Sequence, residues 1–387
     1  MIAPTKKGWC PGALRPMPTG DGLLLRVKPS AGRMSLPAAL EAAQLAQMFG
    51  NGALEISARA NLQLRGMDER DLPEVWRRLA ACGLIDEDAE VEAVRNIMVS
   101  PLSDCDPAAL RDLGPYAAAL EARFAADAPL RTLPAKFGVA LDAGGRFALH
   151  EGAHVIARAS EVGWDVFTAA SRAPLSIARE ALADTIARVA LETAARGLPA
   201  LRDGDQGTAS VVGFLALGSS CVAILAPPLG RMRAEALIAL LRDAVDKGAH
   251  DLRLMPGRRF AFTGLAEEGA RALCKRAETL GFIVAGDDCR LGVAACAGAP
   301  ACASAARDVQ GDAMTLAASL PTARGVVLHV SGCEKGCARA APTRLTLVAR
   351  ADGYDAVRHG RADGAPAFRG LTLEAARALV AQECGTA

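Results

Sequence analysis

Hydrophobic and polar positions repeat one pattern twice along the chain. An apolar segment over 23–27 predicts a strand, and apolar residues three or four apart then predict a helix over 36–49. A second strand and a helix over 72–79 complete the unit, and the same order returns over 222–280. Units of this kind and size predict small α/β sandwiches.

A constant offset of 198 residues relates the two units. Gly-Arg-Met occurs at 32–34 and again at 230–232. Four further pairs match without a gap: Gly50 with Gly248, Leu54 with Leu252, Gly66 with Gly264, and Gly83 with Gly281. Glycines in register mark turns that the backbone must make. We therefore predict an internal duplication around a pseudo-twofold axis, which is either purely structural or a place for a large flat ligand.

The second strand of the first unit carries polar candidates. Positions 54–64 alternate between apolar and polar residues, which predicts one continuous strand with a polar face. The polar residues expected on that face are Arg59, Asn61, Gln63 and Arg65, with Arg26 and Lys28 on the preceding strand. The face is either solvated or a basic surface for a polyanion, since arginine pairs well with carboxylates.

Four late cysteines form two pairs, Cys296-x5-Cys302 and Cys333-x3-Cys337, set among small residues. Four thiolates bind either zinc or an iron–sulfur cluster. Neither spacing is the Cys-x2-Cys of a zinc knuckle, which favours [4Fe–4S]. The corresponding part of the first half has only Cys105, so one cluster is expected.

The remaining cysteines and histidines give weaker signals. Five cysteines without paired spacing are predicted to be small core residues: Cys82, Cys221, Cys274, Cys289 and Cys384. Cys10 lies in a Trp-Cys-Pro-Gly turn and has no assigned role. His150 and His154 have i,i+4 spacing, but Gly152 between them weakens a helical metal pair. The absence of an apolar segment after Lys6 and Lys7 favours a cytoplasmic protein without disulfides.

Composition narrows the function classes. The 387 residues carry a net charge of +1 and only 4% aromatic residues, which argues against a nucleic-acid binder. The uncharged segment 208–230 is interrupted at 218–220 and closed by two prolines, so two short strands are favoured over a membrane span. No Gly-x-Gly-x-x-Gly follows a strand, so we expect no dinucleotide site and a separate electron donor.

The chain resembles the sulfite and nitrite reductase haemoprotein family over essentially its whole length. The motifs that carry the resemblance are Arg59-x-Asn61-x-Gln63, Arg95-Asn96-Ile97, Leu133-Pro-Ala-Lys136-Phe137 and the Cys296, Cys302, Cys333, Cys337 set. The resemblance implies an α+β fold in four parts. Two ferredoxin-like half-domains, 1–90 and 206–282, are each followed by an α/β domain, 91–205 without a cluster and 283–387 with it.

The same resemblance implies cofactors and ligands. In that family the four cysteines hold a [4Fe–4S] cluster, and the last, Cys337 by motif, also bridges to the iron of sirohaem. The reductases carry a second lysine where this chain has Gly138, and losing a cation would weaken a site for a small dianion. This departure makes a sirohaem-dependent sulfite or nitrite reductase the alternative interpretation. A non-catalytic tetrapyrrole or electron carrier is a second alternative.

The residues 10–24, 330–333 and 353–355 are similar to one branch of this family, in which the tetrapyrrole is the substrate. The branch uses O2 to hydroxylate precorrin-3A, with γ-lactone formation, in aerobic cobalamin biosynthesis. It is thought to hold one [4Fe–4S] cluster and a mononuclear non-haem iron, whose ligands this sequence does not identify. Electrons would come from ferredoxin or an NAD(P)H-dependent reductase. The substrate carboxylates would pair with Arg26, Lys28, Arg59, Arg65, Arg95 and Lys136.

Overall fold

The computed structural model describes residues 9–149, 152–201, 211–321 and 325–385. Within these ranges the chain forms four five-stranded sheets with helices packed on them. The strands are β1 Met17–Thr19, β2 Gly22–Val27, β3 Arg33–Ser35, β4 Ala53–Ile56, β5 Leu62–Met67, β6 Ile97–Val99, β7 Val139–Asp142, β8 Val155–Ala159, β9 Gly163–Thr168, β10 Ser171–Ala178, β11 Gly213–Leu217, β12 Ser220–Leu225, β13 Arg231–Arg233, β14 Asp251–Met255, β15 Arg259–Leu265, β16 Val293–Ala295, β17 Leu328–Ser331, β18 Thr343–Arg350, β19 Gly353–Gly360 and β20 Phe368–Leu371. The helices are α1 Leu36–Met48, α2 Leu72–Ala81, α3 Ala89–Val94, α4 Gly114–Ala126, α5 Ala128–Arg131, α6 Leu182–Ala195, α7 Ala234–Asp246, α8 Glu267–Thr279, α9 Val309–Ala317 and α10 Leu373–Cys384.

The two half-domains are copies of each other, as the offset predicts. Their sheets run β1-β2-β5-β4-β13 and β11-β12-β15-β14-β3. Gly66 and Gly264 occupy equivalent positions with φ of 72° and 73°. A Cβ at Gly66 would lie 2.6 Å from Asn51, and one at Gly264 would lie 2.3 Å from His250. Both the left-handed backbone and the close neighbour require glycine at this position.

Each half-domain lends a short strand to the sheet of the other. β3 of the first half pairs with β14 of the second, which sets Met34 opposite Leu252. β13 of the second half pairs with β4 of the first, which sets Met232 opposite Leu54. All four side chains are buried in one hydrophobic core. The halves therefore form a single body around a pseudo-twofold axis.

The two outer domains also share one topology. Their sheets run β10-β9-β8-β7-β6 and β16-β17-β18-β19-β20. In each, three strands are parallel and the remaining pairs are antiparallel. The α+β fold of duplicated half-domains and outer domains is confirmed. The outer sheets lie inside the predicted 91–205 and 283–387 parts, whereas the exchanged strands cross between the predicted half-domains.

A salt bridge joins the first outer domain to the second half-domain. Arg253 on β14 donates from both terminal nitrogens to the carboxylate of Asp104, at 2.9 and 2.8 Å. Burial alone would raise the pKa of Asp104, but Arg253 lowers it to about 2. The carboxylate therefore stays ionised, and the pair is kept, well below neutral pH.

The prediction of one continuous strand over 54–64 is wrong. β4 ends at Ile56 and β5 begins at Leu62, and a turn joins them. Ser57 closes the turn, because its backbone N–H donates to Asn61 O at 2.9 Å and its hydroxyl accepts Asn61 N–H at 3.1 Å. Arg59 and Asn61 therefore belong to a hairpin turn and not to the sheet face of Gln63 and Arg65. The turn contains no glycine or proline that would mark it in the sequence. Its polar residues alternate with alanines, which is also the pattern of a strand.

The uncharged segment contains two strands, as predicted. Within its described part, β11 and β12 pair as an antiparallel hairpin, with Leu217 opposite Ser220. Residues 208–210 lie outside the described residues. Over the described ranges, none of the helices has the length and apolar character needed to cross a membrane.

Candidate functional site

The site is built around two equivalent hairpin turns that touch each other. One turn, 57–61, joins β4 to β5, and the other, 256–258, joins β14 to β15. The backbone N–H of Gly257 donates to the carbonyl of Ala58 at 3.1 Å. The first turn carries Arg59 and the second carries Arg258. The backbones of these two arginines are therefore close together beside the pseudo-twofold axis.

A cleft opens beside the first turn. Its lining comes from the first half-domain, from the start of the first outer domain, and from Leu254 and Pro256 of the second half-domain. The polar side chains in the lining are Lys28, Arg59, Asn61, Arg95 and Asn96. The cleft is thus basic and lies where three of the four parts of the chain meet.

Arg59 is the uncompensated cation of this cleft. Its half-buried guanidinium makes no hydrogen bond or ion pair with any other residue that the structure describes. Burial lowers the pKa of Arg59, and the neighbouring Cys10 thiol opposes that effect. A Cβ at Gly138 would lie 3.5 Å from its Nη1 atom, so Arg59 lies against the position where the family's second lysine is missing. A planar cation without a counter-ion is suited to a ligand carboxylate.

Lys28 is a second cation in the cleft, but it is held. Its Nζ donates to the backbone carbonyl of Glu92 at 2.6 Å and to Asn96 Oδ1 at 3.0 Å. Burial lowers the pKa of Lys28 to about 8, against the nearby Glu92 carboxylate, which raises it. Lys28 is therefore mostly charged at neutral pH and loses its charge in mildly alkaline solution.

Arg65 and Arg26 bind other residues of the protein and are not free to bind a ligand. Arg65 is 2% exposed and donates to both carboxylate oxygens of Asp21, at 3.0 and 2.8 Å. It also donates to the backbone carbonyl of Ala301 at 3.0 Å. Ala301 lies between Cys296 and Cys302, so this bond joins the first cysteine loop to the half-domain. Arg26 donates to Gln63 Oε1 at 2.7 Å. These three predicted site residues cross-link the sheet rather than line the cleft.

Arg95 and Lys136 also differ from Arg59, but for two different reasons. Arg95 lines the cleft, yet it pairs with Asp86 at 2.7 Å and donates to the carbonyl of Lys28 at 2.8 Å. Lys136 is exposed in the turn after α5 and does not line the cleft. Among the predicted cations, only Arg59 and Lys28 therefore offer charge to the cleft without a paired carboxylate side chain.

Residues 9–15 form a strap across the buried end of β2, and Glu92 fastens it. Its carboxylate accepts the backbone N–H groups of Ala13 at 2.7 Å and Leu14 at 3.1 Å. A Cβ at Gly12 would lie 2.1 Å from the Glu92 carboxylate, so a larger residue there would displace the group that holds the strap. The strap brings the Cys10 thiol close to the Arg26 guanidinium. Sequence reasoning missed Glu92, although an acid on the buried face of the short helix α3 was a usable signal.

The four late cysteines come together in space around two loops, and we call them the cysteine quartet. Partial burial and the thiols of Cys333, Cys296 and Cys302 raise the pKa of Cys337. Burial also raises the pKa of Cys296, and the backbone N–H of Gly332 opposes this by donating to Cys296 Sγ at 3.1 Å. Four thiols whose charges repel one another, with a backbone donor aimed at sulfur, fit a cationic iron–sulfur centre.

The loop geometry supports the same fit. A Cβ at Gly332 would lie 2.6 Å from Ala305 Cβ and 3.3 Å from Cys296 Sγ, so the two loops approach as closely as glycine allows. In the described ranges, no three His, Cys, Asp or Glu side chains lie close enough to share one ion. Each thiolate of a cubane binds a different iron, so the quartet can fit a cluster without that proximity. A mononuclear iron site stays a prediction without assigned ligands.

The other candidates are placed as follows. His154 stacks on Phe137 with ring centroids 4.6 Å apart, and its Nδ1 accepts the Gly138 N–H at 3.2 Å. His150 lies outside the described residues. All eleven cysteines are free of disulfides. Cys221, Cys274 and Cys384 are buried as predicted, whereas Cys82 and Cys289 are half-buried against the cores.

The comparisons with known proteins agree with this arrangement. Residues 15–82 match the family model described as nitrite/sulfite reductase ferredoxin-like half domain. The fold resembles that of the NirA protein of Mycobacterium tuberculosis, with a TM-score of 0.72 at 17% identity over 91% of this chain and 78% of that one. A ferredoxin–nitrite reductase of Synechococcus elongatus is 35% identical over 28% of this chain and 22% of its own.

The fold and site define the class of the nitrite and sulfite reductases and their relatives. A precorrin-3B synthase from a Sinorhizobium species is 34% identical over 94% of this chain and 85% of its own. The chain belongs to the precorrin-3B synthase family, as the sequence motifs predicted. These relatives are enzymes.

Removing the Glu92 carboxylate should release the strap. We expect Glu92→Ala to speed amide hydrogen exchange at Ala13 and Leu14 by about tenfold, because each N–H loses a bond worth about 1.5 kcal/mol or more. Hydrogen–deuterium exchange with mass spectrometry measures this. Glu90→Ala, on the exposed side of α3, is the control and should leave the strap unchanged. Equal exchange in both variants would contradict the role given to Glu92.

Proposed function

We propose that this protein is a monooxygenase that converts precorrin-3A to precorrin-3B in aerobic cobalamin biosynthesis. One oxygen atom of O2 enters the macrocycle as a hydroxyl group, with closure of a γ-lactone by a ring acetate. The other oxygen atom leaves as water, which takes two electrons and two protons from an external donor. Ferredoxin or an NAD(P)H-dependent reductase fits that role.

The uncompensated guanidinium of Arg59 carries this proposal. The cleft beside it lies where the two half-domains meet the first outer domain, and it offers the charged amine of Lys28 and the amide of Asn61. A substrate that bears acetate and propionate arms would place one carboxylate on Arg59, and a second within reach of the other polar groups. Three other predicted arginines, Arg26, Arg65 and Arg95, already have protein partners, so they hold the walls in place while Arg59 and Lys28 bind.

The cysteine quartet would supply the second part of the function. Cys296, Cys302, Cys333 and Cys337 would hold a [4Fe–4S] cluster, which transfers electrons one at a time when bound. Arg65 ties the first cysteine loop to the first half-domain through Ala301. The contact between Gly257 and Ala58 links the two turns, so the electron-donating part and the cleft share one rigid frame.

A sirohaem-dependent reductase is the second candidate, because the relatives include nitrite and sulfite reductases. Gly138 favours the first proposal, since the cleft then lacks a second lysine for a small dianion. Sirohaem bound in equal amount to protein, with turnover of sulfite or nitrite, would support the reductase instead.

Aerobic conversion of precorrin-3A tests the proposed function directly. We expect mass analysis to show one added oxygen atom when the protein, the donor system and air are all present. The anaerobic reaction, with air withheld, should leave the substrate unchanged. Binding of precorrin-3A without conversion in air would identify a carrier and contradict the proposal.

Arg59→Ala should weaken substrate binding. A charged hydrogen-bonded pair contributes about 1.5–3 kcal/mol, so we expect the Kd for precorrin-3A to rise by roughly tenfold to a hundredfold. Quenching of tryptophan fluorescence measures the affinity. Arg70→Ala, an exposed arginine paired with Asp68, is the matched control and should bind like the parent. If iron and sulfide are lost along with binding, Arg59 is structural and the assignment fails.

Cys337→Ser should abolish the cluster, because the thiolate is the required ligand. Iron and acid-labile sulfide content, together with visible absorbance, report the result. Cys384→Ser changes a buried cysteine in α10 outside the quartet and should keep full cluster content. Unchanged iron and sulfide in Cys337→Ser would show that the ligand assignment is wrong.

A further inference from the structure

His329 is a buried imidazole without a partner. It lies on β17, between Leu328 and Val330, which point into the core of the second outer domain. Its side chain is fully buried, and neither ring nitrogen has a hydrogen-bond partner among the described residues. An unsatisfied buried polar group costs about 1–3 kcal/mol, so a group in this position calls for a function.

The ring lies against the second loop of the cysteine quartet. A Cβ at Gly336, between Cys333 and Cys337, would lie 3.5 Å from Cε1 of His329. Burial, with the positive charges of Arg339 and Arg258, lowers the pKa of His329 to about 4. The imidazole is therefore neutral at physiological pH and keeps one N–H donor.

Arg258 approaches the same loop from the second hairpin turn. Its backbone has φ of 64°, and its guanidinium donates to the carbonyls of Leu229 at 3.1 Å and Ala338 at 3.2 Å. Ala338 follows Cys337 directly, and the charge of Arg258 is felt at Cys296. Among the described residues no carboxylate forms an ion pair with Arg258, although the nearby Glu55 carboxylate offsets part of its charge.

We propose that His329 and Arg258 are positioning residues that raise the reduction potential of the cluster held by the cysteine quartet. Reduction adds one electron to the cluster. A fixed positive charge and an N–H donor beside its loop both stabilise the more negative state. This inference rests on the proposed cluster, and it adds a role for two residues outside the ligand set.

Arg259 provides a matched control in the same hairpin. It is the next residue, it is also bonded to backbone carbonyls, and these belong to Pro256 and Val211. Burial alone lowers the pKa of Arg259, with no contribution from a cysteine. The two arginines therefore share charge and type of partner, but of these bonds only the one from Arg258 reaches the loop that carries Cys337.

The test compares the midpoint potential of the cluster in the full-length parent and in variants. Anaerobic redox titration followed by electron paramagnetic resonance gives the potential, and iron and sulfide analysis gives the loading. We expect Arg258→Gln and His329→Phe to shift the potential to more negative values at full loading. Arg259→Gln should match the parent, and His329→Gln, which keeps an N–H donor, should lie nearer the parent than His329→Phe.

The outcomes separate this inference from the proposed function. A parent that binds no iron and sulfide contradicts the cluster itself. A loaded Arg258→Gln with the parental potential, or an equal shift in Arg259→Gln, overturns only the role of the positioning residues. Loss of the cluster in Arg258→Gln assigns that residue to folding and also overturns it. Loss of the cluster in His329→Phe likewise assigns His329 to folding and overturns its role.

Discussion

The exchange of β3 and β13 between the half-domains is the constraint on which the site depends. Each sheet is completed by a strand from the other copy, and the paired side chains lie in one common core. The two hairpin turns are therefore fixed relative to each other, and the bond between Gly257 and Ala58 follows from that symmetry. The joined half-domains therefore determine where the cleft and the cysteine quartet lie.

The presence or absence of a carboxylate partner distinguishes arginines that stabilise the fold from arginines that are available to a ligand. Arg65, Arg95 and Arg253 have aspartate partners at hydrogen-bond distance and join segments far apart in sequence. Arg59 and Arg258 lack such partners in the described part of the chain, and they occupy the two turns at the centre. Unpaired buried charge is costly, so its concentration there indicates ligands that are anionic or gain electrons.

The sequence predicted the duplication, the fold and the cysteine quartet because glycine register and cysteine spacing are local signals. It placed Arg59 and Asn61 on a strand, because the turn 57–61 alternates polar and apolar residues as a strand does. It also grouped Arg65 and Arg59 as alike, although the partners of Arg65 include Asp21, 44 residues away in the chain. Compensation by distant residues, such as Asp104 beside Arg253, depends on the tertiary fold and has no local pattern.

The borrowed strands also bear on how far the two copies can differ. A single copy of the repeat would leave the edge beside β4 open, as in one subunit of a dimer that exchanges strands. Because both copies lie in one chain, equivalent positions need not be identical, and the matching turns carry Ala60 in one copy and Arg258 in the other.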